Sequence, residues 1–296
     1  MKITTVDSFF KKHEHDLAQK NNPPQFQEKP VIIANELARK NTLITLEEEK
    51  LMHCIFSQLK PFEKNNTKVI LNKEELWEML DLSSSRRYTD IKQKLKTLIG
   101  KTLVDFRDEK GTDRVGYVLI DFNSDHKSPE IEVSLNPNFM PFIEQLVNHY
   151  TKLDLNTIVQ FDSKFSLTLY KFLSSWRTDH YHRMVIMTTK ELKELFGLTK
   201  EDYVKSSGSF DRYNFEKRTL ETAIDEINEK VPYWTVSYKK HKQGNRIKGY
   251  VIEWLERNRM KSDSQSVSDE QFQLDYEAYK NIDIEKGQLS LEDYEQ

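Results

Sequence analysis

The 296-residue sequence contains a single cysteine and no long run of apolar residues. The lone thiol, Cys54, excludes an internal disulfide and any zinc site built from several cysteines. No apolar stretch approaches the roughly 20 residues that cross a bilayer, and the opening residues (MKITTVD) lead into charged sequence instead of a secretory signal. With 37% hydrophobic and 31% charged residues, the composition predicts a globular, cytoplasmic chain without a membrane span.

Charge is unevenly distributed along the chain. Residues 258–296 hold 10 acidic and 4 basic side chains, a net charge of −6 that leaves +3 for residues 1–257 within the total of −3. We expect residues 1–29, which have few apolar positions, to form a flexible arm, and residues 258–296 to form an acidic tail. The positive remainder of the chain permits a polyanionic partner.

An internal repeat predicts two related domains. Residues 69–83 align without gaps on residues 185–199, and six of the 15 aligned positions are identical. Further along, residues 111–118 are similar to residues 244–251. Two copies separated by so long a period indicate duplicated domains and not a solenoid.

The two predicted domains, residues 30–150 and 151–257, share one order of elements: helix, strand, short helix, helix and hairpin. The long helices are predicted at 46–59 and 85–99 in the first copy and at 162–176 and 213–229 in the second, with a capping box at Thr45/Glu48. The short helices are predicted to begin at caps, Asn72 with Glu75 and Thr188 with Glu191. The closing hairpins turn near Gly111 and Gly244. This order predicts an α+β protein with two winged helix-turn-helix domains in tandem.

The helix predicted at 213–229 has the pattern of a recognition helix. In a helix-turn-helix the last helix enters the major groove, and its first residues meet base edges. An apolar stripe of Leu220, Ala223, Ile224 and Ile227 faces inward, whereas the opposite face is polar. Arginine can form two hydrogen bonds with the edge of guanine, and asparagine can do the same with adenine. An ordinary solvated helix face is the alternative interpretation. The DNA-binding residues predicted here are Arg212, Asn214, Lys217, Arg218, Glu221 and Thr222.

The hairpin that follows this helix is strongly basic. Between Val236 and Lys248 it carries five cations and no acidic residue. Such a density of positive charge suits contact with phosphates beside the groove. A charged edge strand that prevents aggregation is the alternative. The predicted phosphate contacts are Lys239, Lys240, Lys242, Arg246 and Lys248.

The first copy is less basic, because its predicted hairpin balances acids against bases. Its helix at 85–99 places Ile91, Leu95 and Leu98 inside. This copy is expected to touch DNA weakly or to serve protein contacts. The auxiliary DNA contacts predicted on its outer face are Arg86, Thr89, Lys92 and Lys96.

No motif predicts a catalytic site, a metal site or a cofactor. Gly244 and Gly249, like their counterparts in the first copy, have the spacing of a phosphate-binding loop, but Tyr-Val follows in place of Lys-Ser/Thr. The remaining enzymatic alternative is a rolling-circle nickase, with His180 and His182 as metal ligands. Cys54 lies on an apolar helix and is predicted to be a core residue.

Three stretches resemble the replication initiator (Rep) proteins of theta-replicating, iteron-type plasmids, a family with two winged-helix domains. In the first stretch, Phe165 stands where the family usually has tyrosine. The resemblance covers about residues 31–256. The stretches are residues 161–173 (FDSKFSLTLYKFL), 188–198 (TTKELKELFGL) and 215–228 (FEKRTLETAIDEIN).

The resemblance implies a more specific function than the residue chemistry alone indicates. It implies that the second domain binds repeated origin sequences (iterons) in double-stranded DNA and that the first mediates dimerisation or contacts adjacent DNA. In such families monomers initiate replication, whereas dimers often repress the initiator's own gene. Host replication proteins are the implied partners, and no enzymatic activity is implied. A tandem winged-helix transcription regulator is the other interpretation of the same residues.

Overall fold

The computed structural model describes residues 30–39, 44–59, 67–82, 87–107, 113–142, 150–176 and 182–256. The predicted arm (1–29) and acidic tail (258–296) lie outside these residues. Contacts divide the chain between Trp176 and Arg177 into a first and a second compact unit. No helix in the described part of the chain is long and apolar enough to cross a membrane.

The first unit mixes helices with three small sheets. In β2 the burial alternates, with Val69 and Leu71 inside, and the Thr45/Glu48 capping box forms at the start of α2 as predicted. The strands are β1 (Pro30–Ala34), β2 (Lys68–Asn72), β3 (Leu103–Arg107), β4 (Asp113–Tyr117), β5 (Leu119–Asn123), β6 (Glu130–Leu135) and β7 (Tyr150–Asp154). The helices are α1 (Asn35–Arg39), α2 (Leu46–Ser57), α3 (Lys73–Met79), α4 (Arg87–Lys101), a 3-10 helix (Pro137–Phe142), α5 (Leu155–Gln160) and α6 (Lys164–Ser175).

Helix α6 belongs to the first unit, which differs from the boundary predicted after residue 150. Strand β7 pairs antiparallel with β1, and α6 packs on α1. Arg39 of α1 donates to the Ser175 hydroxyl at 2.9 Å and to the Ser175 carbonyl at 3.0 Å, at the end of α6. Lys171 of α6 forms an ion pair with Glu49 of α2, and both side chains are buried. These contacts fix residues 151–176 in the first unit.

Strands β3 and β4 pair as the predicted hairpin, whose turn near Gly111 lies outside the described residues, but this hairpin is not the counterpart of the second unit's hairpin. Among the described strands β3 and β4 pair only with each other, while the three-stranded sheet of the first unit has the order β2-β6-β5. The predicted match of residues 111–118 with 244–251 is therefore wrong at the level of strand pairing. The physical reason is that β3 and β4 form an additional hairpin before β5. The strands that complete the main sheet, β5 and β6, therefore lie further along the chain than predicted.

The second unit is a winged helix. Strand β8 (His182–Thr188) leads into α7 (Thr189–Leu195), whose start carries the predicted Thr188/Glu191 capping box. Three consecutive helical segments follow: α8 (Arg212–Phe215), a π-helical turn (Glu216–Glu221) and α9 (Thr222–Lys230). Together they form the recognition helix. Strands β9 (Trp234–Gln243) and β10 (Arg246–Glu256) form the wing, and the sheet order is β8-β10-β9.

The recognition helix is held to the sheet by the apolar stripe that the sequence predicts. Leu220, Ala223 and Ile227 are fully buried, and Ile224 is 6% exposed. Tyr250 of β10 is also buried, so the helix covers the centre of the sheet. Burial of this stripe stabilises the unit, because apolar area removed from water contributes about 25 cal/mol per Å².

Two glycines shape the wing. Gly244 adopts φ +59° in the turn after Gln243, which pairs with Arg246, so the turn needs a residue that tolerates the left-handed region. At Gly249 a Cβ would lie 2.0 Å from the Met187 carbonyl oxygen of β8. Gly249 therefore allows β10 to approach β8 closely, and this structural role replaces the phosphate-loop spacing noted in the sequence.

Candidate DNA-binding surface

The recognition helix begins at a side-chain cap. Asp211 accepts hydrogen bonds from the backbone N–H and the side-chain amide of Asn214, at 3.3 and 2.7 Å. These bonds from Asn214 lower the pKa of the Asp211 carboxyl. Capping satisfies N–H groups that a helix start leaves without partners. In this state the Asn214 side chain is committed to the cap, so a contact with adenine requires the cap bond to be exchanged.

The π-helical turn brings two glutamates onto one side of the recognition helix. In a π turn the backbone bonds run from residue i to i+5, so residues five apart lie above one another. Glu216 accepts a hydrogen bond from the Tyr250 hydroxyl at 3.0 Å, and Glu221 accepts one from the Tyr238 hydroxyl at 2.9 Å. Thr222 donates to the Lys217 carbonyl at 3.0 Å, and this bond also joins residues five apart.

Glu216 is the centre of a chain of hydrogen bonds between the helix and the wing. Its side chain is 7% exposed and its carboxylate forms a 2.7 Å ion pair with Lys240. The Tyr250 hydroxyl, which donates to Glu216, accepts from the Arg212 guanidinium at 3.1 Å. Burial, and next the Glu216 charge, raise the pKa of Tyr250. Arg212 and Lys240 therefore join the helix to the wing within the protein.

Other predicted residues of the recognition helix are directed to solvent. Lys217, Arg218 and Thr222 are exposed. Within the described part of the chain, Arg218 has neither a hydrogen bond nor an ion pair, so its guanidinium is available to a ligand. Lys217 lies 5.7 Å from the ring centre of Tyr213.

Tyr213 is a candidate that the sequence analysis missed. It lies in the first turn of the recognition helix and is 67% exposed. Its hydroxyl accepts a hydrogen bond from Lys217 at 3.4 Å, so the ring lies beside a predicted DNA-binding residue at the exposed start of the helix. The signal in the sequence was its position between Arg212 and Asn214, both of which were predicted to bind DNA.

The wing presents three basic side chains that have no partner within the described residues. They lie on either side of the turn, and β10 carries a bulge between Ile247 and Gly249. Lys239, in contrast, forms a 3.1 Å ion pair with Glu253 on the neighbouring strand. Of the five predicted phosphate contacts, two are thus paired inside the protein. The three that remain available and exposed are Lys242, Arg246 and Lys248.

The segment between α7 and the recognition helix is folded onto that helix. Val204 and Phe210 form a β-bridge. The rings of Tyr203 and Phe210 lie 5.6 and 5.4 Å from that of Phe215, which is fully buried. Burial raises the pKa of Tyr203. Packing at Phe215 therefore fixes the start of the recognition helix.

Among the described residues, the auxiliary contacts predicted in the first unit lie on α4. Thr89, Lys92 and Lys96 are exposed on α4 as predicted, while Ile91, Leu95 and Leu98 are buried. Arg86 lies outside the described residues. The hairpin that matches the wing in strand order, β5 with β6, has four acidic residues and one lysine over 119–135. Its charge is therefore opposite to that of the wing.

The candidates for enzymatic chemistry are not brought together in the described residues. Cys54 is fully buried, as expected of a core residue, and burial raises the pKa of its thiol. Of the two predicted metal ligands of the nickase, His180 lies outside the described residues, and His182 opens β8. Among the described residues no group of three or more His, Cys, Asp or Glu side chains could hold a metal ion.

The recognition helix, its basic wing and the related first unit define a DNA-binding protein with two winged-helix domains. Residues 30–174 match the family described as Initiator Replication protein, WH1, and residues 188–254 match the family described as Initiator Rep protein, WH2. The chain belongs to the initiator replication (Rep) protein family, as the resemblance in sequence indicated.

Two solved structures are similar to the chain. The Pi initiator protein, crystallised in complex with iteron DNA, is 17% identical; the match covers 78% of this chain and 98% of that one, with a TM-score of 0.65. Domains 2 and 3 of RctB are 8% identical over 65% of this chain and 76% of that one, with a TM-score of 0.41. At this identity the likeness to Pi concerns the fold.

Proposed function

We propose that the protein initiates plasmid replication by binding repeated origin sequences in double-stranded DNA. The observation that carries this proposal is the combination of exposed Lys217 and Arg218 on the recognition helix with three available cations on the adjoining wing. Base edges are read by side chains in the major groove, whereas wing cations hold phosphates. Membership of the initiator family and the iteron DNA in the Pi complex support the same assignment.

In this proposal the two units have different tasks. The second unit reads sequence through Tyr213, Lys217 and Arg218. The first unit mediates dimerisation and adds backbone contacts through Thr89, Lys92 and Lys96 on α4. The opposite charges of the two hairpins support this division, because an acidic hairpin repels phosphate.

Monomers then start replication with host replication proteins, and dimers repress the initiator's own gene. The protein acts in the cytoplasm by binding alone, without enzymatic activity. The absence of a phosphate-loop lysine after Gly249 supports a binding role.

Nuclease footprinting of the DNA around the protein's own gene tests the proposal. Protection that recurs over direct repeats at whole-turn intervals is the expected result. Protection of one inverted repeat at the promoter alone would instead indicate a transcription regulator. Cleavage that depends on a divalent metal, with DNA joined to tyrosine, would indicate a nickase and refute the binding role.

A further inference from the structure

We infer that Glu216 is a positioning residue, which fixes the wing against the recognition helix and thereby sets the discrimination between DNA sequences. The inference rests on the proposed function of the second unit. Its basis is the buried carboxylate itself, which faces the sheet and is held there by Tyr250 and Lys240.

The contacts of Glu216 join the two DNA-binding elements directly. One carboxylate oxygen accepts from Tyr250 of β10, and the other pairs with Lys240 of β9. Glu216 is thereby bonded to both strands of the wing. Charge-assisted hydrogen bonds are shorter and stronger than neutral ones. A buried carboxylate that accepts from a tyrosine and a lysine is therefore held firmly in one position.

The π-helical turn supports the same role. It allows Glu221, five residues further on, to hold Tyr238 of β9 as Glu216 holds Tyr250. The rings of Tyr238 and Tyr250 lie 5.9 Å apart. Two glutamates of one helix thus hold two neighbouring tyrosines of the sheet. Such an arrangement restrains both the rotation and the tilt of the helix relative to the wing.

Positioning of this kind affects specificity more than affinity. Phosphate contacts tolerate small shifts, whereas hydrogen bonds to base edges require correct angles and distances. A wing that moves relative to the helix can still bind phosphate, but it no longer places Arg218 at the same base. We therefore expect loss of Glu216 to lower the ratio of specific to nonspecific affinity.

Three variants of the full chain separate positioning from charge. Glu216→Gln removes the ion pair with Lys240, and Glu253→Gln is its matched control, because it frees Lys239 on the same wing without touching the helix. Tyr250→Phe breaks the link from Arg212 to Glu216 and changes no charge. The probes are a duplex that the wild-type protein selects from a random-sequence pool and a scrambled duplex of equal length and composition.

The expected result is a fall in the affinity ratio of about tenfold for Glu216→Gln and for Tyr250→Phe, the factor that one base contact supplies. Glu216→Gln and Glu253→Gln should both bind the scrambled duplex more tightly, since each frees one lysine. Glu253→Gln should keep the wild-type ratio.

Two results would overturn the inference. One is a ratio of specific to nonspecific affinity in Tyr250→Phe that equals the wild-type ratio. This result refutes the inference even if Glu216→Gln does not fold. The other is an equal fall in Glu253→Gln, which would assign the effect to charge. Should the wild-type protein bind both duplexes equally, the proposed function itself would fail, and the inference with it.

Discussion

Neutralising the available wing cations is expected to reduce the salt dependence of DNA binding by a predictable amount. Each phosphate contact contributes a slope of about −0.9 to log K against log salt concentration. Lys242, Arg246 and Lys248 have no partner within the described residues, so their combined replacement by glutamine should make the slope shallower by about 2.7. Between 50 and 200 mM salt, the variant should then lose about 40-fold less affinity than the wild type.

The assay is fluorescence anisotropy of a labelled duplex across a salt series, with the wild type measured in parallel. Lys239→Gln is the matched control for Lys242→Gln, because Lys239 is already paired with Glu253 at 3.1 Å. The single change at Lys242 should shift the slope by about 0.9, and the change at Lys239 should shift it much less. Equal shifts at the two lysines would refute the reasoning that internal pairing withholds a cation from phosphate.

Four further predictions concern stability and readout. Gly249→Ala should lower the melting temperature of the second unit, because its Cβ would lie 2.0 Å from the Met187 carbonyl; an unchanged melting curve would contradict this. Lys171→Met should cost about 3–5 kcal/mol in urea denaturation, because it leaves Glu49 buried without its partner, and Lys171→Met with Glu49→Leu should recover most of that loss. Burial, and next the charge of Lys171, hold the pKa of His53 well below 6.5. As the pH falls, His53 is therefore protonated in the unfolded chain at a higher pH than in the folded chain, so the free energy of unfolding should fall below about pH 6.5. His53→Leu should remove that dependence. Tyr213→Ala should weaken binding to the selected duplex more than to the scrambled one, as anisotropy would report.

The elements that follow local rules were predictable from the sequence. The Thr45/Glu48 and Thr188/Glu191 capping boxes and the buried stripe of the recognition helix depend on residues within one or two turns of each other. Local spacing determines such features, so they appear in the sequence before any fold is known.

What depended on long-range pairing was not predictable. The sheet order β2-β6-β5 required knowledge that, among the described strands, β5 and β6 complete the main sheet instead of the predicted β3–β4 hairpin. The position of α6 in the first unit depends on Arg39 reaching Ser175 across 136 residues.

The roles of the charged residues were likewise only partly predictable from the sequence. Composition identified the basic wing, but only the folded chain reveals that Lys240 is bonded to Glu216 and that Arg212 is bonded to Tyr250. Charge counts in a sequence do not distinguish a cation that meets DNA from one that meets a buried carboxylate.

The order of the second unit's sheet has a consequence for biosynthesis. Strand β10 lies between β8 and β9, and it is the last of the three to be made. A nascent chain that ends before Arg246 therefore has two strands whose edges await a common neighbour, and exposed edges of this kind invite aggregation. Cotranslational folding of the first unit can proceed meanwhile, because all its described strands precede Arg177. The ability to read DNA thus arises only as synthesis reaches the end of β10, so premature termination before Arg246 should yield a chain that keeps the first unit and lacks DNA recognition.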